Sequence, residues 1–285
     1  MSGYSGRAEA IGHAGEILQG AVRILNRVEP FLVTLSAPDF RSEATVCTSD
    51  TWSVHPPWKT KAIRAAQLAC KRWGIVDTLK VGVHSDIPIA RGCGSSTADC
   101  VAAVRAVADM TSRQCTAEEI ACLVQQAEIA SDSTMFDLQP VAFLPRSGRV
   151  LHHFNAPWPA MHVTIVDLGG PAVETLSCPT PNYAESELDE FYWLLDELGR
   201  AMDAGDAAGL GRIATRSAII HQNYRPHSEF QPLYRKACEA GAFGVALAHS
   251  GTVAAVLSPK AMYIEGAIAY AMEGVQHADL AGRRR

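Results

Sequence analysis

The sequence predicts an α+β protein built as two domains. Strand-like runs rich in β-branched residues alternate with Ala-rich helical stretches along the chain. Its 285 residues suffice for one large domain or two of ordinary size. A Pro/Gly/His-rich passage from Pro145 to Pro159 then divides them, with expected boundaries of 1–150 and 151–285.

Taken in order, Ala8–Gly20 is punctuated by Gly12, Gly15 and Gly20, with Glu16 and Gln19 among small and apolar neighbours. A Glu beside such a turn reads by default as a surface residue. Phe31–Ser36 and Ala44–Thr48 read as strands. Lys59–Trp73 sets cationic residues against an apolar face (Ile63, Ala66, Leu68, Ala69) and reads as a helix, with Gly74 as its stop. Leu79, Val81 and Val83 mark a strand, and Cys100–Met110 a helix. Thr116, with Glu119 three residues on, opens another helix through Ala127. A polar cluster from Glu128 to Asp137 precedes a strand over Val141–Leu144. Beyond the junction come a strand at His162–Leu168 and helices over Glu187–Ala204 and Asp206–Asn223. The apolar run Gly244–Leu257 is a strand interrupted by His249-Ser250-Gly251.

Composition removes several functions. Charged residues at 19% and hydrophobic residues at 48% are those of an ordinary globular chain. A net charge of −5 offers no basic face for nucleic acid, and Arg283-Arg284-Arg285 reads as a solvated tail. No apolar run has membrane-spanning length and the N-terminus lacks a signal-peptide core, so no membrane partner and a cytoplasmic location are expected. None of the eight cysteines forms a Cys-x-x-Cys pair, so neither structural zinc nor a disulfide framework is expected. Cys93 reads as a space-filling residue, with a reactive thiol as the alternative.

The stretch with most chemistry runs from Ser85 to Asp99, where a strand passes through Gly92-Cys93-Gly94-Ser95-Ser96-Thr97 into a helix starting near Ser96. Small residues let backbone N–H groups approach an anion, and the helix N-terminus adds partial positive charge. No Gly-Lys-Ser/Thr follows at P-loop spacing, and Gly-x-Gly-x-x-Gly is absent. Two readings stand: a phosphate cradle, or a tight turn with Ser96 as N-cap and Asp99 closing a variant capping box.

Pro88, three residues, then Gly92-x-Gly94-Ser95-Ser96-Thr97-Ala98 resembles the ATP-binding motif of the GHMP kinases. Within that superfamily the chain most resembles the L-threonine kinases of cobalamin biosynthesis and propanediol utilisation. Gly15-Glu16-Ile17-Leu18-Gln19-Gly20, Ile87-Pro88 through Asp99, Asp132-Ser133-Thr134-Met135-Phe136 and Ala248-His249-Ser250-Gly251 carry that likeness. Three features depart from the family pattern. His13 and Ala14 stand where other small residues are usual, the third motif keeps only Gly251, and Glu128 lies just four residues before Asp132.

The resemblance implies a GHMP-kinase-like fold: an N-terminal ATP-binding domain with a left-handed β-α-β unit, against the usual hand, and a C-terminal α/β sandwich domain. It also implies ATP and magnesium as cofactors. Pro88, Arg91, Gly92, Cys93, Gly94, Ser95, Ser96 and Thr97 would hold the nucleotide, with Ser95 or Ser96 on magnesium and Glu128 as candidate carboxylate ligand. Asp132 would orient or deprotonate the acceptor hydroxyl, its alternative being a turn residue bonding its own backbone. Glu16 would meet a substrate ammonium, while Ser133, Thr134, Ser250 and Gly251 would line the acceptor. His249 reads equally as lining or scaffold. The implied partners are ATP and a small hydroxy amino acid, bound by a monomer or homodimer.

Rival readings are a kinase of the same fold for L-serine, homoserine or another small alcohol, and a non-catalytic sensor on that scaffold. Retention of the loop together with Asp132 weighs against the sensor. A metal-dependent hydrolase finds no His-x-x-x-His, and His152-His153 reads as a lone pair in a loop.

Overall fold

The computed structural model describes residues 4–170, 181–264 and 267–272. The chain opens with a long antiparallel hairpin, β1 (Ser5–Ile24) and β2 (Arg27–Ser49). A short β3 (Ser53–His55) leads through helix α1 (Thr60–Trp73) to β4 (Thr78–Ser85), which lies parallel to it. Helices α2 (Ser95–Met110) and α3 (Ala117–Glu128) follow, then a 3-10 turn at Thr134–Phe136 and the pair β5 (Val141–Leu144) and β6 (Arg149–His153). The remainder runs β7 (Met161–Asp167), α4 (Glu185–Asp203), α5 (Ala207–Gln222), α6 (Phe230–Glu239), β8 (Gly244–Leu247), β9 (Val253–Ser258) and β10 (Ile268–Met272).

One sheet connects everything, in the order β10-β7-β9-β8-β1-β2-β4-β3, with β5 pairing off β2. Helices α1, α2 and α3 pack together over β1 and β2, while α4, α5 and α6 cover the β1 and β8 side. The two groups of strands meet at a single rung, Glu16 opposite Leu247. Where β1 crosses that boundary it is buried without interruption from Gly12 to Val22, which explains its low polar content.

Local chemistry accounts for most element ends. Gly74 caps α1 in the left-handed conformation, with φ of 72°. Thr116 accepts the Glu119 N–H and starts α3, although the Glu119 carboxylate turns to Trp73 Nε1 at 2.9 Å and does not close the box. Asp206 caps α5 by accepting the Gly209 N–H at 2.8 Å. Helix α2 is buried from Ala98 to Ala108 except at Arg105, so its Ala/Val composition is that of a helix enclosed on all sides.

Several expectations are corrected. Glycine-punctuated Ala8–Gly20 is continuous strand, and the two strands expected near residues 31–48 are one. Ser96 is not the cap of α2, because Gly94 takes that place with φ of 72°. Asp99 closes no capping box: it is buried, accepts from Ser42 Oγ at 2.6 Å and pairs with Lys59 Nζ. His152 and His153, expected as a lone pair in a loop, stand on β6, which pairs with β5. Helix α6 had no counterpart in the sequence reading. Arg283–Arg285 and Cys178 lie outside the described residues.

Candidate active site

The loop from β4 to α2 forms one wall of a cavity of about 430 Å³. It is drawn against β1 by the His13 N–H, which donates to the Cys93 carbonyl at 3.0 Å. Gly94 then passes over the side chains beneath. A Cβ there would lie 2.5 Å from His13 Cδ2 and 3.3 Å from Asp132 Oδ2, so only glycine permits both the turn and the approach. Directly after it, α2 opens with Ser95, Ser96 and Thr97 on the cavity wall. Backbone amides, hydroxyls and a helix N-terminus thus converge where an anion would sit.

Strand β1 supplies the floor through an irregularity. Residues three apart on a regular strand face opposite ways. Between His13 and Glu16 the register with β2 shifts, and Gly15 takes φ of 100°, which turns both side chains into the cavity. In the neutral ring the Gly15 N–H donates to His13 Nδ1 at 3.1 Å and the proton sits on Nε2, 3.2 Å from Asp132 Oδ2. The three groups offer donor atoms within 4.8 Å of one another. With Nδ1 taken by the Gly15 N–H and Nε2 by Asp132, His13 nevertheless has no lone pair left for a metal.

Electrostatics separates the two carboxylates. Glu16 is 1% exposed and neither oxygen has a hydrogen-bond partner. Burial pushes its pKa up to about 7, opposed by His13 and reinforced by the Asp132 charge. Burial would raise Asp132 as well, but the charge and hydrogen bond of His13, then His249 and Thr97, outweigh it and hold Asp132 below the usual carboxylate range. Conversely, burial works against the His13 cation, and Asp132 with Glu16 overcomes it and raises that pKa. At neutral pH Asp132 is ionised and hydrogen-bonded, whereas Glu16 is poised, with the His13 ring beside it, Nδ1 4.0 Å from Oε1.

Glu128, the last residue of α3, lies beside the start of α2. Its Oε1 accepts from Ser96 Oγ at 2.5 Å and Oε2 from Thr97 Oγ1 at 2.7 Å, while Lys61 Nζ stands 3.2 Å from Oε1. Burial raises the Glu128 pKa against these three partners. A carboxylate and a hydroxyl side by side on a cavity wall are hard oxygen donors of the kind magnesium takes. Lys61 shows that the position already holds a cation.

Of the residues singled out from sequence, the cavity wall brings together Glu16, Gly92, Cys93, Gly94, Ser95 and Ser96 from the first half of the chain. Thr97, Glu128 and Asp132 join them, with His249 and Ser250 from the β8–β9 connection. Glu16 is therefore not the surface residue its local context suggests. The wall does not include Pro88, Arg91, Ser133, Thr134 or Gly251. Arg91 turns outward to Asp167 Oδ2 at 3.4 Å and the Gly170 carbonyl, while Ser133 and Thr134 are buried behind Asp132. Cys93 is enclosed, and burial pushes its thiol pKa up to about 12, which suits the space-filling reading. Sequence reasoning missed His13, Lys61 and Arg146 on the same wall. Only His13 had left a trace, as a departure from the family phrase.

Residues 60–143 match the family model described as the GHMP kinases N terminal domain. The L-threonine kinase of Citrobacter freundii is 27% identical over 192 residues, 63% of this chain and 62% of that protein, so the match spans under two thirds of the relative's length. Homoserine kinase from Cytophaga hutchinsonii superposes with a TM-score of 0.71 at 15% identity, covering 95% of both chains. A structure of MDDEF in complex with MVAPP, AMPPCP and magnesium gives 0.70 at 17% identity, covering 96% of this chain and 98% of the other.

Proposed function

We propose that this chain, whose residues 60–143 match the GHMP kinases N terminal domain and whose fold is that of the homoserine kinase structure, is a kinase of that kind and transfers the γ-phosphoryl group of ATP to the hydroxyl of L-threonine. The products would be O-phospho-L-threonine and ADP. The observation that carries the reading is the convergence on one cavity of a glycine-built anion cradle, a hydroxyl–carboxylate pair and an ionised, oriented Asp132. A second reading, homoserine or another small hydroxy amino acid as acceptor, draws on the fold neighbour. One methyl changes discrimination by only about 1–3 kcal/mol.

When bound, magnesium-ATP supplies the phosphoryl group and screens its charge. The residues of this chain do the rest. Backbone amides from Gly92 to Ser96 hold phosphate oxygens at the N-terminus of α2, and Ser96 with Glu128 would hold the metal. Asp132 accepts the acceptor hydroxyl and orients its oxygen toward the cradle. Its low pKa makes it a weak base, which serves a loose transition state that asks mainly for alignment. Glu16 takes the acceptor's ammonium and so gains the partner it lacks in the protein alone.

ADP release with magnesium-ATP over a panel of hydroxy amino acids and small alcohols tests the proposal. L-threonine should be the best acceptor. A faster L-serine or homoserine would replace the named substrate and keep the mechanism, whereas no turnover with any of them would sink the kinase reading in favour of a sensor.

A further inference from the structure

His249 lines the cavity from the β8–β9 connection, and what lies behind it determines what it can do. Gln19, only 2% exposed, donates from Nε2 to the Leu247 carbonyl at 2.9 Å. That bond fixes the orientation of the amide, since the reverse would set two oxygens against each other. Gln19 Oε1 therefore faces His249 Nδ1 at 3.0 Å, and an amide oxygen only accepts. The proton of the neutral ring must reside on Nδ1, which leaves a lone pair on Nε2. The Gln19 backbone is itself pinned, its N–H donating to Ser217 Oγ at 2.9 Å.

The surroundings also keep the ring uncharged. Arg225 Nη1 donates to the His249 carbonyl at 3.2 Å, Arg146 lies on the same cavity wall, and the His221 ring is 5.7 Å away. Burial first, then Arg225 and Arg146, pull the His249 pKa down to about 4 against the pull of Asp132. Burial, His249 and Arg225 hold His221 near 3, so it adds no charge. Glu16 and His13 complete the ionisable groups on this side of the cavity.

We propose that Gln19 is a positioning residue that locks His249 as a neutral ring with Nε2 as acceptor, so that His249 and Glu16 together read a primary ammonium on the acceptor. This rests on the reading of the cavity as the acceptor site of a kinase. An ammonium has three donors and no acceptor, and a locked neutral imidazole beside a carboxylate complements it. The same ring as a cation would repel it. Substrates are thereby sorted by the amine before the side chain matters.

Two measurements test this. Long-range proton–nitrogen NMR reads the tautomer directly and needs no turnover. His249 should show a protonated Nδ1 and a bare Nε2 from pH 5 to 8, and Gln19→Met should abolish that preference. An Nε2-protonated ring in the unaltered protein would overturn the proposal. In kinetics, Gln19→Met removes the acceptor that holds Nδ1–H, so the ring can turn an Nε2–H toward the ammonium. KM for L-threonine should rise about tenfold, with nucleotide-analogue affinity unchanged. 3-Hydroxybutyrate, which lacks the amine, should not share the rise. An unchanged KM for L-threonine, or an equal loss for both acceptors, refutes the ammonium role. If the parent turns over neither compound the kinase reading fails, while the NMR result still decides the lock.

Discussion

Two carboxylates share the floor of the cavity, and their neighbours set them to different tasks. Asp132, tied to His13 at 3.2 Å, stays ionised; Asp132→Asn keeps the hydrogen-bonding shape and removes the charge. We expect turnover to fall roughly 10²–10⁴-fold with nucleotide-analogue affinity unchanged. A drop well below that range would leave Asp132 no more than a spacer. Glu16 carries the opposite signature. Its pKa is about 7 in the folded chain against 4.5 for the free group. Below about 4.5 both folded and unfolded chains hold the proton. Between 4.5 and 7 the unfolded chain ionises first, so stability drains as pH rises and levels off above 7. Glu16→Gln should therefore be more stable than the parent by roughly 3 kcal/mol at pH 8, and by under about 1 kcal/mol at pH 5, in denaturant titrations. The same variant should raise KM for L-threonine about ten- to hundredfold, because an amide does not replace a carboxylate facing an ammonium. A stability difference that ignores pH would refute the assignment.

Among the elements, α2 combines two roles that substitutions can part. Its cap is Gly94, so Ser96→Ala should keep the fold and lower the melt by only a few degrees, for the lost bond to buried Glu128, while turnover falls much further because the hydroxyl serves the metal position. A lowered melt with full turnover would restore Ser96 to a capping role. The buried Lys59–Asp99 pair, which also takes the Ser42 hydroxyl, fastens the first turn of α2 to β2 and α1. Lys59→Met strands Asp99 and should cost about 3–5 kcal/mol in urea unfolding. Helices α1 to α5 were legible because apolar spacing, Thr116, Asp206 and Gly74 are local signals. Helix α6 was not, because Pro232 falls in its first turn and only Phe230 and Ala237 along it are fully buried. Strand β1 carries no strand signal for a deeper reason: Gly12 and Gly15 sit at register shifts inside it. That irregularity places His13 beside Glu16, so the pair could not be seen by counting along a regular strand.

For the molecule as a whole, the motif phrases were legible and their meeting was not. His249 and Glu16 come within one cavity only because β8 docks on β1, a pairing of residues more than two hundred positions apart. No local pattern encodes such a contact. The docking is also slender. Among the described residues β1 and β8 share one rung, and the residue on the β1 side of it is Glu16, a buried carboxylate whose oxygens have no hydrogen-bond partner. An acceptor whose ammonium satisfies that charge stiffens the joint it sits on. In mechanical language it is a strut wedged into a hinge. The amides of β8 should then exchange with deuterium more slowly when L-threonine is added than with a nucleotide analogue alone. Small molecules that reach the cradle but not Glu16 would leave β8 exchanging at its former rate, so rigidity itself becomes a gauge of the right cargo.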